Sequence, residues 1–132
     1  MCGGNNLISD TLSGVQNLAN GQMASATAKG NAKTVRSVAR VEAEKIKDQG
    51  KRNASTARAM AAENGVDVDV GVAAMIQDEH ISDAAYNASI TISDAENNAS
   101  NIRRAGKMQR NSYGMSAASD FISVGAKAMG WK

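Results

Sequence analysis

Proline is absent from all 132 residues, and cysteine occurs once, as Cys2. The first absence removes the residue that most reliably interrupts a helix. The second excludes an intrachain disulfide and fits synthesis in a reducing cytoplasm. Aromatic residues make up only 3% of the chain, and leucine stands only at Leu7, Leu12 and Leu18, so a compact globule would lack filling. Burying a Val, Leu or Ile fully contributes roughly 1.5 to 3 kcal/mol, and an alanine side chain far less. The uninterrupted apolar run of about 20 residues that a membrane-spanning helix needs is also missing.

Ala, Lys, Gln, Arg and Glu dominate the middle of the chain, a composition that favours long helices over strands. Two stretches place small apolar residues at helical spacing. Between residues 28 and 61, Ala28, Ala32, Val35, Ala39, Ala43, Ile46, Gly50, Ala54, Ala57 and Ala61 follow steps of four, three and four. That is an eleven-residue repeat, which keeps one stripe on a nearly straight helix. Further on, Ile81, Ala85, Ala88, Ile92, Ala95, Ala99, Ile102 and Gly106 alternate four and three, the heptad seam of a helix facing a partner. An eleven-residue repeat and a heptad do not share one ideal supercoil, so either the arms pack imperfectly or each seam faces a different neighbour.

The spacing predicts an all-α chain: a long antiparallel helical hairpin over residues 21–110, with amphipathic helices at both ends (1–20 and 111–132), assembling into an oligomer. The first arm should run from about Gln22 to Ala62 and stop at Glu63-Asn64-Gly65, where Asn or Gly can take the left-handed conformation. Val66 to Val70 alternates like a short strand but reads as an extended linker, so the turn lies near 63–71. A second arm should start near Val72 and reach about Arg110. Seams of Ala and Gly allow close backbone approach yet remove little area from water. An isolated hairpin would therefore be marginal and an oligomer the more stable form.

Net charge is only +2, but its distribution is uneven. Residues 29–58 hold nine Lys/Arg against three acids, while residues 63–101 hold eight acids and no Lys/Arg. Folding the chain back on itself sets a basic arm beside an acidic one. Exposed ion pairs are individually worth about 0 to 1 kcal/mol, so the pattern governs orientation and partner choice more than stability.

At the N-terminal end, Ile8, Leu12, Val15 and Ala19, flanked by Leu7 and Leu18, form a face opposite Asn6, Ser9, Asp10, Ser13 and Asn17. Two burials suit such a helix, an oligomer interface or a bilayer surface. The C-terminal helix expected after Asn111-Ser112-Tyr113-Gly114 carries Met115, Ala118, Ile122, Gly125 and Met129 on one stripe, with Phe121 beside it and Trp131-Lys132 at its end. A terminal Trp-Lys suits either a membrane interface or a protein contact.

No set of residues reads as a catalytic centre. Asp67-x-Asp69-x-Gly71 has the opening acids of a calcium loop but places glycine at position five instead of six. Asp78-Glu79-His80 with Asp83 offers one histidine among acids, which is common on a solvated helix face. Cys2 and His80 make a nucleophile and base in name only, without a strand-turn-helix setting. Cys2 is not read as a lipidation site either, because no apolar run precedes Met1-Cys2-Gly3-Gly4. No metal, cofactor or enzymatic activity is expected. Arg103, Arg104, Lys107 and Arg110 could meet phosphate, but aromatic residues for stacking bases are absent there, so at most nonspecific DNA contact is expected.

The order of features resembles the internal virion proteins, or ejection proteins, of short-tailed bacteriophages. In that family a Met-Cys start leads into a small-residue apolar segment and a long Ala/Gln/Lys/Arg-rich helix, then a glycine-bounded junction and an Ala/Asn-rich helix. The matching residues are Met1-Cys2-Gly3-Gly4, the helix through Arg58-Ala59-Met60-Ala61-Ala62, the junction Ala62 to Gly71, and the helix through Asp83-Ala84-Ala85-Tyr86-Asn87. The resemblance implies a protein stored in the virion interior near the portal or tail and expelled ahead of the genome to help form a conduit across the host cell envelope. It further implies a homo-oligomer in contact with portal, tail or other ejection proteins. The terminal residues Leu7, Ile8, Leu12, Val15, Leu18, Met115, Phe121, Ile122 and Trp131 would then meet the bacterial outer membrane or a protein partner. A different reading of the same features is a structural coiled-coil adaptor or scaffold on the portal or tail that never touches lipid.

Overall fold

A computed structural model describes the backbone of residues 4–130 and the side chains of residues 8–130. The chain forms two long helices, α1 (Gly4–Glu63) and α2 (Gly71–Ala128), packed antiparallel as a hairpin. With no proline to remove a backbone donor, neither helix is interrupted. Ser55, Thr56, Thr91 and Ser116 donate their hydroxyls to carbonyls four residues back, so these polar groups find partners within their own helix.

Two boundaries expected from the sequence do not occur. Residues 1–20 and 111–132 were expected as separate helices, yet α1 runs through Asn20-Gly21 and α2 through Asn111-Ser112-Tyr113-Gly114 without a break. At the first boundary the physical reason lies in what Gly21 does. Gly21 is buried, and a β-carbon on it would come within 3.2 Å of Tyr113 Cβ and 3.3 Å of the Arg110 carbonyl oxygen. It serves close helix approach instead of a turn. A helical glycine costs roughly 0.5 to 1 kcal/mol relative to alanine, which such close packing offsets.

The break that does occur is built by Gly65, at φ +70°. Its amide donates to the Ala62 carbonyl at 3.0 Å, and the Val66 amide donates to the Ala61 carbonyl at 3.0 Å. This pair of bonds is the Schellman closure of a helix C-terminus. Asn64 adds a side-chain bond to the Met60 carbonyl at 2.8 Å. Residues 64–70 contain no strand: Asp67 Oδ1 accepts the Asp69 amide at 3.1 Å, and Gly71, at φ +68°, leads into α2. Gln77 fastens the turn to the helix, donating to the carbonyls of Val68 (2.8 Å) and Ala73 (3.0 Å).

The hairpin divides into two compact units, one of residues 34–99 and one combining residues up to 33 with those from 100 onward. In the first, Gly50 of α1 lies against Ala84 of α2, and Arg36 pairs with Glu96 at 2.8 Å. In the second, the roles reverse, with Ala28 of α1 against Gly106 of α2. Phe121 covers Gly14 there, Asn17 donates to Asp120 at 3.0 Å, and Lys127 bonds Asp10. Among the described residues, every buried side chain of the core is an alanine: Ala28, Ala32, Ala39, Ala43, Ala54, Ala84, Ala88, Ala99 and Ala117.

Candidate assembly interface

The buried line of α1 falls where the eleven-residue spacing puts it. Ala28, Ala32, Ala39, Ala43, Gly50 and Ala54 are buried, and Val35, Ile46, Ala57 and Ala61 are half-buried at its border. On α2 the residues buried within the chain follow the same eleven-residue period. Ala73, Ala84, Ala95, Gly106 and Ala117 recur every eleven residues, interleaved with Gln77, Ala88 and Ala99, and all are buried or half-buried. The heptad stripe from Ile81 to Gly106 crosses this line obliquely, because a seven-residue step drifts around a helix whose repeat is eleven. Ala88 and Ala99 lie on the seam and Ala95 and Ile102 are half-buried, but Ile81, Ala85 and Ile92 fall to one side and are exposed. Two matching eleven-residue lines remove the conflict between supercoils. Within each unit the two helices bury lines of the same period against each other.

In the unit of residues 34–99, two opposed faces flank that seam. On one, Arg36, Arg40, Lys47, Lys51 and Arg58 follow steps of four and seven, one line over from the buried alanines. The Arg36–Glu96 pair joins this line to Ile81, Ala85, Ile92 and Glu96 of α2, which have the same steps. On the other face, Val35, Val38 and Glu42 meet Thr91, Asp94 and Asn98 across an open groove of about 350 Å³. A neighbouring groove sets Ile46, Gln49 and Asn53 opposite His80, Asp83 and Asn87. One face therefore presents mainly cations beside isoleucine, with Glu96 paired to Arg36, and the other presents mainly carboxylates beside valine, with Lys45 at its edge.

In the other unit, Leu18, Gly21 and Gln22 form a groove with Arg110, Gly114, Met115 and Ala118. Ile8, Leu12, Val15, Leu18, Met115, Phe121 and Ile122 are exposed, Ile122 at 72% and Met115 at 76%. Leu7 falls where the helix but not its side chain is described, and Cys2 and Trp131 lie outside the described residues. Arg103, Arg104, Lys107 and Arg110 are all exposed on α2 and form no ion pair among the described residues. The aliphatic part of Arg110 lies beside Gly21, so its stem contributes packing as well as charge.

Two of the acids weighed for metal chemistry are engaged otherwise. Asp69 pairs with Arg58 at 2.9 Å and Asp67 caps the turn. Among the described residues, no group of three or more His, Cys, Asp or Glu side chains converges, and no helix is long and apolar enough to cross a membrane. Comparison with protein-family models, with curated proteins and with solved structures finds no match to this chain.

What the sequence reading missed is the paired arrangement of lines beside the α2 seam. The signal was present, since Ile81 and Ile92, and Ala85 and Glu96, are each eleven residues apart. It was hidden because alternating steps of four and three also fit alanines taken from two adjacent lines.

Proposed function

We propose that this chain is a non-enzymatic structural subunit of the internal virion, or ejection, type. It is stored inside the capsid of a short-tailed bacteriophage near the portal or tail and released ahead of the genome. Copies then assemble into part of a conduit across the host cell envelope. The observation that carries the assembly part is where the apolar area lies: the buried core is alanine, while Leu12, Ile76, Ile81, Phe121 and Ile122 are exposed. A hairpin closed by alanines gains little from its own core, since hydrophobic stabilisation follows the area removed from water. Its larger apolar side chains find burial only against something else. The ordered resemblance of start, basic helix, glycine-bounded junction and Ala/Asn-rich helix supports the ejection part.

The test is light scattering of the purified chain, with and without vesicles of outer-membrane lipid, paired with release of an entrapped dye. A defined oligomer that forms on lipid and releases dye is the expected result. A single chain at every concentration, with the dye retained, would overturn the proposal. An oligomer indifferent to lipid would instead favour a portal or tail adaptor, a reading that mass spectrometry of purified virions then checks.

A further inference from the structure

Within the chain, the two charged faces of the unit of residues 34–99 are only partly satisfied. Arg36 is matched by Glu96 and Arg58 by Asp69. Lys47 and Lys51 have only pairs within their own helix, to Glu44 at 3.5 Å and Asp48 at 3.7 Å, and these side chains are largely exposed. Arg40 forms no ion pair among the described residues, and neither do Glu42, Asp83 and Asp94 on the opposite face. Each face also leaves apolar area open: Ile81 is 47% exposed beside the cations, and Val38 is 58% exposed beside the carboxylates.

We infer that these faces are the two halves of one interface between copies of this chain, the Arg40–Lys51 face of one copy seating on the Asp83–Asp94 face of the next. The inference rests on reading the chain as an assembly subunit, and adds to that reading the surfaces and the symmetry. Opposite charge on opposite faces disfavours a two-fold dimer, because any face paired with itself brings like charges together. Contact between unlike faces leaves one of each free at the ends of every chain of copies. Repetition therefore closes a ring or extends a filament. The apolar side chains supply the area that is lost from water, and the charges set which face meets which.

The experiment uses two variants of the full chain. One carries Arg40→Glu with Lys51→Glu, and the other Asp83→Lys with Asp94→Lys. All four positions are exposed, so both hairpins keep their helicity, which circular dichroism checks. Light scattering behind size exclusion should show assembly of the native chain, loss of assembly for either variant alone, and restored assembly when the two are mixed in equal amounts. Mixing restores complementarity where the two variants alternate, because the reversed Arg40–Lys51 face of one then meets the reversed Asp83–Asp94 face of the other, and the two native faces meet each other. Native-like assembly by either variant alone, or no assembly in the mixture, would overturn the assignment of faces while leaving the assembly reading standing. A native chain that remains single at all concentrations would overturn both.

Discussion

Gly50 of α1 lies so close to Ala84 of α2 that a β-carbon added to it would overlap the alanine methyl and come within 2.9 Å of the His80 carbonyl oxygen. The backbone carbonyl cannot swing aside as a flexible side chain can. Gly50→Ala should therefore destabilise the hairpin by about 1 to 3 kcal/mol, the usual range for overpacking, despite alanine's better helix propensity. Gly30→Ala provides the control, since a β-carbon there meets nothing within 4 Å and the helix gains about 1 kcal/mol from propensity alone. Thermal unfolding followed by circular dichroism at one protein concentration should move in opposite directions for the two variants. A shift of the same sign in both would remove the close contact from the account.

Ala88 and Ala85 separate the eleven-residue seam from the heptad. Ala88 is fully buried and Ala85 is exposed. Ala88→Glu places a carboxylate in the seam without a partner and should abolish cooperative unfolding of a hairpin with so small a core. Ala85→Glu leaves the hairpin's unfolding within about 0.5 kcal/mol of native, as surface substitutions do. Equal effects at the two sites, read from the same melts, would restore the heptad assignment.

These two alanines also mark how far the sequence could be read. Helical class and the turn were legible because proline is missing and because Asn64-Gly65 closes a helix by a local, recognisable geometry. The seam of α1 was legible because Val35 and Ile46 border a line of alanines and so stand out from the polar face. On α2, alanine occurs on both sides of the seam as well as in it, and alanine carries almost no preference between burial and water. Periodicity alone then fits two lines at once. The boundary expected near residues 20–22 is hard to judge for a related reason: whether Gly21 ends a helix or admits a close neighbour depends on Tyr113 and Arg110, about ninety positions away in the chain. The open faces flanking the seam required both arms to be placed before their charges could be assigned to sides.

At the turn, Gly65 is held at φ +70° by two backbone bonds. A β-carbon in the left-handed region costs roughly 1 to 2 kcal/mol. Gly65→Ala should lower stability by that order, and Gly65→Asn by less, because asparagine tolerates this conformation better than other non-glycine residues. Urea unfolding at matched concentration gives the order Gly, Asn, Ala from most to least stable. Alanine ranking with glycine would mean that the closure is not maintained in solution.

Arg36 and Glu96 form the cross-arm ion pair of the unit of residues 34–99, with side chains 32% and 47% exposed. Solvent screening at that exposure limits such a pair to about 0.2 to 1 kcal/mol. A double-mutant cycle with Arg36→Ala and Glu96→Ala should give a coupling energy in this range, falling further in 1 M salt, where the Debye length is about 3 Å. A coupling of several kcal/mol would show that another copy buries the pair, and its concentration dependence would reveal that directly.

The terminal unit offers the most direct separation of folding from assembly. Leu12 and Ile122 are 57% and 72% exposed, so neither contributes much to the hairpin's own core. Replacing either by glutamate removes an apolar contact surface without touching the seam residues Gly14, Gly21 or Ala117. The expected outcome is native helicity, with lower oligomer mass or weaker vesicle association. Those two readouts distinguish what the terminal residues meet: loss of oligomer in lipid-free solution assigns them to a protein contact, and loss of vesicle flotation with oligomer intact assigns them to a lipid surface. Loss of helicity in the isolated chain would instead mean that Leu12 and Ile122 are buried in solution, contrary to their exposure here. Unchanged values in all three measurements would show that neither side chain takes part in assembly.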